Sequence, residues 1–321
     1  MRPTLLSPAL LSLTFALCAT GVHAETAGYH ELLLNLPDHA KIAQAFSKTT
    51  AVNKNGVVQS ATAVSAYLND VTRTPDGFEV VKTQTAFKLA SDGADKAPQT
   101  DSDRLNAVIA RAAAVGEMTY AADTSLSPVD IENWDEVKAR ASAVLSEALG
   151  PQSEAVFNNI YGLFDSRTAA GAFAKEDVFL AIPHNTGGVV GQANRTESEQ
   201  AAPIGGGTLK FVTTLTLARW DDATHEAEID YTSAPDPASL QAYLQAAMPT
   251  VLKAGGVTDD GTIQAMIKQM SLEKSTSCHY VADTITSLVK TGDCTVIAGV
   301  TAGGQSQVTT ETYALSETLQ P

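Results

Sequence analysis

Two hydrophobic periods alternate along this chain and divide it into strands and helices. Residues 56–72 (GVVQSATAVSAYLNDVT) follow Asn55-Gly56, a dipeptide suited to a tight hairpin because both residues accept positive φ. Thr74-Pro75-Asp76-Gly77 is a second turn signal. Beyond it, Val81, Thr83, Thr85, Phe87 and Leu89 share one face of a period-two strand, and Lys82, Gln84 and Lys88 share the other. Strands this long predict a strongly curved sheet. The period then lengthens. In residues 102–114, Leu105, Val108, Ile109 and Ala112 form the stripe of an amphipathic helix. A second helix starts at Asn133, with Glu136 placed for a capping box, and runs to Leu149 ahead of Gly150-Pro151. A third covers 153–164 on Val156, Ile160 and Phe164.

The second half returns to strands. Leu209, Phe211, Thr213, Leu215 and Leu217 make one face of 209–217, Asp221-Asp222 turn the chain, and 226–232 answers with Ala227, Ile229 and Tyr231. Asp236-Pro237 reads as an N-cap followed by proline at the first helical position, which predicts a helix over 237–253 stopped by Gly255-Gly256. Ile263, Met266, Ile267 and Met270 give a helical stripe over 262–270, and 272–283, 287–300 and 305–316 read as a three-stranded meander. The fold class is therefore α+β: long curved antiparallel sheets packed on several helices, with two related lobes. The expected boundaries are 25–185 for an N-terminal lobe and 208–321 for a C-terminal lobe. The Gly/Ser/Gln-rich stretch 186–207 is the expected flexible connection.

The N-terminus changes the compartment. Arg2, the uncharged apolar run Leu5 to Gly21 and the small residues around Ala24 are the three parts of a secretory signal, with cleavage after Ala24. Cys18 lies inside the run, but Leu17 before it is too large for lipid attachment. The later chain has no second apolar stretch, so the mature protein is expected to be soluble, periplasmic or secreted, with no transmembrane segment. Losing the signal removes one of the 21 basic residues and none of the 36 acidic ones. A field of that sign repels phosphate backbones, which argues against nucleic acid as a partner.

Cys278 and Cys294 remain after cleavage, in a compartment where disulfides persist. If 278–283 and 287–297 pair antiparallel about Thr284-Ile285-Thr286, the two cysteines lie directly opposite each other, close to disulfide geometry. No CxxC motif suggests redox chemistry. The same register sets His279 opposite Asp293 on the other sheet face. That is the base half of a catalytic triad or an ordinary cross-strand charge pair, and no G-x-S-x-G marks a nucleophile to complete it. His184, in the loop Ile182-Pro183-His184-Asn185-Thr186-Gly187-Gly188, is the other candidate, since a Pro/Gly loop can expose an imidazole. His225-Glu226 and His30-Glu31 lack the second histidine of a zinc helix. Asp259-Asp260-Gly261 lacks the alternating acids of a calcium loop and reads as an N-capping turn. Gly205-Gly206-Gly207-Thr208 lacks the lysine of a phosphate loop. No cofactor or metal signature is present.

The order of these features resembles an uncharacterised family of exported bacterial proteins that carries a domain of unknown function. The resemblance rests on Thr119–Ile131 (TYAADTSLSPVDI), Ile182–Gly191 (IPHNTGGVVG) and Cys278–Thr295, and runs from Tyr29 to Leu319. The family brings no activity and no catalytic residues. The long strands also look like those of periplasmic lipoprotein carriers, in which a half-barrel closes over helices to shelter an acyl chain. The functional expectation is a non-enzymatic binding or structural module of the cell envelope with a lipophilic ligand, its partner a lipid or another envelope protein. The alternative is a periplasmic hydrolase using His184 or the His279–Asp293 pair.

Overall fold

Tight turns set the register of the first strands. In the computed structural model, which describes residues 28–91, 108, 112, 116–162, 164–201, 208–254, 256, 258–302 and 304–321, Asn55 and Gly56 adopt φ of 52° and 87°. They form the two-residue loop between β2 (His39–Lys54) and β3 (Val57–Thr74), after a short β1 (Tyr29–Leu32). β4 (Gly77–Ser91) follows the Pro75-Asp76 turn, then β5 (Glu117–Ala122) and β6 (Pro128–Ile131). The helices α1 (Trp134–Leu149), α2 (Ser153–Ile160), α3 (Ser166–Phe173) and α4 (Lys175–Ala181) come next. β7 (Thr186–Val189), β8 (Ala193–Ala201), β9 (Thr208–Asp221) and β10 (Glu226–Pro235) precede α5 (Pro237–Ala254) and α6 (Asp260–Gln269). The chain closes on β11 (Ser271–Asp283), β12 (Val289–Ala302) and β13 (Gln305–Gln320).

Eleven strands form one antiparallel sheet in the order β6-β5-β4-β3-β2-β13-β12-β11-β10-β9-β8, and β1 pairs separately with β7. β13 pairs with β2 from Gln307↔Lys54 to Gln320↔Lys41, so strands of both halves of the chain share a single sheet. Residues 186–207 differ from the flexible connection expected of them: β7 and β8 occupy them as far as Ala201, and 202–207 lie outside the described residues. Backbone pairing to β9, rather than side-chain burial, holds β8, and a composition argument does not register that. The expected signal peptide and the Gly205–Gly207 run lie outside the described residues. So does the helix over 102–114, except that Val108 and Ala112 are helical.

Burial falls on one face of the sheet. Along β2, Ala40, Ile42, Gln44 and Phe46 are buried and the residues between them are not. The helices pack on that face. Val137, Ala141 and Leu145 of α1 are fully buried at helical spacing against Ile42, Val71, Val80 and Tyr120. Phe179 and Leu180 of α4 join Phe46, Tyr280, Cys294 and Tyr313 in a second cluster, and Tyr243 and Ala247 of α5 cover Leu209 and Phe211. Each large aliphatic side chain so buried contributes about 1.5–3 kcal/mol. Among the described residues no helix is long and apolar enough to cross a membrane.

Two local expectations change under tertiary forces. Asn133 precedes α1 but makes no side-chain cap; its Oδ1 accepts instead from the Thr119 N–H of β5 at 2.9 Å. The cap is spent on fastening helix to sheet. Asp236 and Asp259 do cap, accepting from Ser239 N–H (2.8 Å) and Thr262 N–H (2.6 Å). In β4 the pairing with β3 slips between Ala66 and Tyr67, leaving Thr85 as an extra residue. The bulge puts Val80, Lys82 and Gln84 on the same face as Phe87 and Leu89. Simple alternation had separated Lys82 from that face.

Cys278 and Cys294 are register partners joined by a disulfide, with the His279↔Asp293 pairing beside them. The ring of Tyr280 lies over Gly292, where a Cβ would come within 2.9 Å of it, so the glycine is required by close packing. Replacing both cysteines by serine is expected to lower stability by roughly 3 kcal/mol, seen as a lower urea midpoint. A loss well under 1 kcal/mol would mean that the strand pairing alone defines this hairpin.

Candidate functional site

Five adjacent strands each place a polar residue on the helix-covered face, where the surrounding positions are apolar. They are Tyr120 on β5, Lys82 on β4, Asn69 on β3, Gln44 on β2 and Glu317 on β13. The ladder sets Lys82 opposite Asn69 and Gln44 opposite Glu317. Asp177 descends from α4, and His184 from the turn that follows it. Lys82, Asp177, His184 and Glu317 are each no more than 5% exposed. Charged side chains are almost never buried so fully unless paired.

The pairing is specific. The Lys82 ammonium donates to Asp177 Oδ2 and sits 4.2 Å from the Tyr67 ring centroid and 4.9 Å from that of Phe46. Burial alone would lower the lysine's pKa, but the Asp177 carboxylate, with Tyr67 and Glu176, outweighs it and holds it above its ordinary value. Tyr120 is pushed well above the ordinary phenol, by burial first and then by Asp177 and Glu317. It stays a neutral hydroxyl.

His184 is buried rather than loop-exposed. Its Nδ1 lies 2.8 Å from the Ser125 carbonyl, which only accepts, so Nδ1 is the donor. Its Nε2 stands 3.3 Å from Glu317 Oε2, without hydrogen-bond alignment. The Glu317 carboxylate accepts from Gln44 Nε2 and from the Val289 N–H, each at 3.2 Å. The cluster thus ties α4, its following turn and the Ser125 loop to five strands. The free space it encloses is about 10 Å³, close to the minimum for one water molecule. A substrate pocket takes hundreds of Å³. The group is a polar pin across the core, and no reacting molecule fits beside His184.

The other candidate pair stands on the opposite face of the sheet. His279 and Asp293 are register partners, as expected, but the His279 Nδ1 contact is with Asp230 Oδ1 of β10, at 2.8 Å. Both side chains are about half exposed, and a surface pair of this kind contributes roughly 0–1 kcal/mol. The structure does not bring His184 and His279 together. Among the described residues no group of three His, Cys, Asp or Glu side chains could hold a metal ion.

A second polar group lies on the same face, farther along β13 toward the β12–β13 turn. Glu311 receives Lys48 and Lys175, both at 2.7 Å, and the Tyr313 hydroxyl at 2.7 Å. Burial would raise the Glu311 carboxyl, but these three donors outweigh it and hold it at about 2. Its stabilising contribution is present above the ordinary glutamate value and is lost as pH falls toward 2. Beyond this group the long strands run on, and on β11 Leu272, the partner of Val300, packs on α5 and α6. None of the described residues of 47–66 or 295–312 is buried. Val52, Ala61, Ala63, Val296, Ala298 and Val300 continue the register of the buried face there.

Sequence reasoning missed Lys82, Asp177, Glu317, Gln44, Asn69 and Tyr120. The available signal was a polar residue at a core-parity position, as in Ile42-x-Gln44-x-Phe46 and Tyr313-x-Leu315-x-Glu317. Comparison with protein-family models and with curated proteins finds no match to this chain.

Proposed function

We propose that this protein is an exported, non-enzymatic binding module of the bacterial cell envelope, with a lipophilic ligand or lipid-bearing partner. One observation carries the reading. The face of the sheet that buries the core continues beyond the Glu311 group, where the apolar positions Val52, Ala61, Val296, Ala298 and Val300 share it with Thr50, Gln59 and Thr309 and none is buried. A long antiparallel sheet with helices on one face is similar to the half-barrel of periplasmic lipoprotein carriers, and the apolar positions of that face match an acyl chain in chemistry. The secretory signal and the disulfide support a periplasmic or secreted location. The hydrolase reading draws no support from His184, beside which the free space is about that of one water molecule, or from His279, whose Nδ1 contact is the exposed Asp230 carboxylate.

The test is native mass spectrometry of the mature protein purified from its own envelope. The expected result is a lipid-sized mass increment that disappears in Val296→Asp, with the fold retained by circular dichroism. A bare polypeptide mass, together with no binding of a fluorescent fatty acid, would overturn the reading.

A further inference from the structure

β8 is an edge strand unlike the others. Every residue from Ala193 to Gln200 is exposed, on both faces of the sheet. Among the described residues only β9 pairs with it. Asn194, Thr196, Ser198 and Gln200 are polar on one face, and Arg195, Glu197 and Glu199 are charged on the other. Among the described residues no core supports the strand, and its outer row of N–H and C=O groups is open to a further strand. Charges on an edge ordinarily discourage such pairing. Here their order does the reverse for one partner, a second copy of the same strand.

We propose that two copies of this protein associate by antiparallel pairing of their β8 strands about a two-fold axis at Thr196. In that register Arg195 faces the second copy's Glu197, and Glu197 faces the second copy's Arg195. Thr196 meets itself, and Asn194 meets Ser198. Opposite charges and threonine pairs directly across a ladder stabilise it, and like charges oppose it. Sliding by one pair one way sets Glu197 against Glu197, alongside two Arg195–Glu199 pairs, and the other way sets Arg195 against Arg195; only the Thr196-centred register pairs opposite charges with no like-charge contact. Arg195 and Glu197 already lie 3.6 Å apart along the strand, both well exposed and available to a partner. The association is isologous, as closed homodimers require. The chain's net charge of −15 opposes it at long range, but physiological salt screens that repulsion beyond about 8 Å while neighbouring side chains stay in contact. The pairing is a polar one without apolar burial, so it belongs to the weak, concentration-dependent class of contacts.

Sedimentation equilibrium of the mature protein at physiological salt, up to several hundred micromolar, tests the proposal. A monomer–dimer equilibrium is expected. Arg195→Glu should weaken it at least about tenfold, because attraction becomes repulsion at both symmetric sites. Adding Glu197→Arg to that variant restores opposite charges and should restore the dimer. Thr196→Cys provides a geometric readout: it should form a disulfide-linked dimer on a non-reducing gel, whereas Ser198→Cys should not. A monomer at every concentration, a dimer indifferent to Arg195→Glu, or equal cross-linking at 196 and 198 would overturn the proposal.

Discussion

Replacing Asp177 by alanine is expected to lower stability by about 3–5 kcal/mol at neutral pH, enough to unfold many proteins of ordinary stability. The loss comes from the partner left behind. Lys82 is 4% exposed, and Asp177 alone among the described residues forms an ion pair with it. Without the carboxylate the ammonium must lose its proton or reach water through the core. The sign of the pH dependence distinguishes this cause from a packing defect. In the wild-type protein Lys82 is held above its ordinary value, so its contribution is present below about pH 10 and lost above it. In Asp177→Ala burial dominates and the folded lysine binds its proton less tightly than the unfolded one. The variant should therefore recover stability as pH rises toward about 9 to 10. Lys82→Met combined with Asp177→Leu should come within about 1–2 kcal/mol of wild type, since an apolar pair of similar volume replaces the buried charges. Urea denaturation of the single and double variants from neutral to alkaline pH measures each quantity. A double variant as weak as Asp177→Ala would show that the pair itself is not the cause.

Above pH 10 the wild-type protein should lose stability steeply, by about 5 kcal/mol by pH 11. Four buried tyrosines carry the effect, three on the helix-covered face of the sheet and Tyr161 at the end of α2. Burial pushes Tyr161 up to about 12. Tyr120, Tyr280 and Tyr313 are raised above their ordinary value, each by burial first. Neighbouring groups add to this: Asp177 for Tyr120, Tyr231 for Tyr280, and the hydrogen-bonded Glu311 for Tyr313. Tyr280 also donates to the Phe179 carbonyl of α4 at 2.9 Å, a bond that ionisation destroys. A raised value means that the folded state holds its proton more tightly. Below pH 10 both states are protonated and the tyrosines do not discriminate between them. Above it the unfolded chain ionises and the folded chain does not, so each group removes about 1.4 kcal/mol per pH unit. Phenolate absorbance at 295 nm and far-ultraviolet circular dichroism should then change together in one transition near pH 11. Ionisation of all eight tyrosines with the β-sheet signal intact would contradict this account.

Much of the architecture was legible along the chain because local signals and long-range packing agree there. Asn55-Gly56 and Thr74-Pro75-Asp76-Gly77 make the turns their residue types favour, and α5 and α6 start at the aspartates that cap them. The Cys278–Cys294 pairing followed from strand register alone, because opposed positions in an antiparallel hairpin are determined by the turn. What failed did so where a distant partner decides the outcome. Alternation put Lys82 on the solvent face; a bulge at Thr85 and a carboxylate 95 positions away put it in the core. Asn133 read as a helix cap, and a strand N–H claimed its side chain. His184 read as a loop histidine that a Pro/Gly loop can expose, and Glu317 and the Ser125 carbonyl enclose it. By itself, then, the sequence determined the period of each element, the turns, the acidic character and the disulfide. Those depend on residues within a few positions of one another or on a count. The single sheet across both halves and the buried polar pin were decided only in three dimensions. A buried charge is tolerable only beside its counter-charge, and no local pattern records which distant residue will supply it.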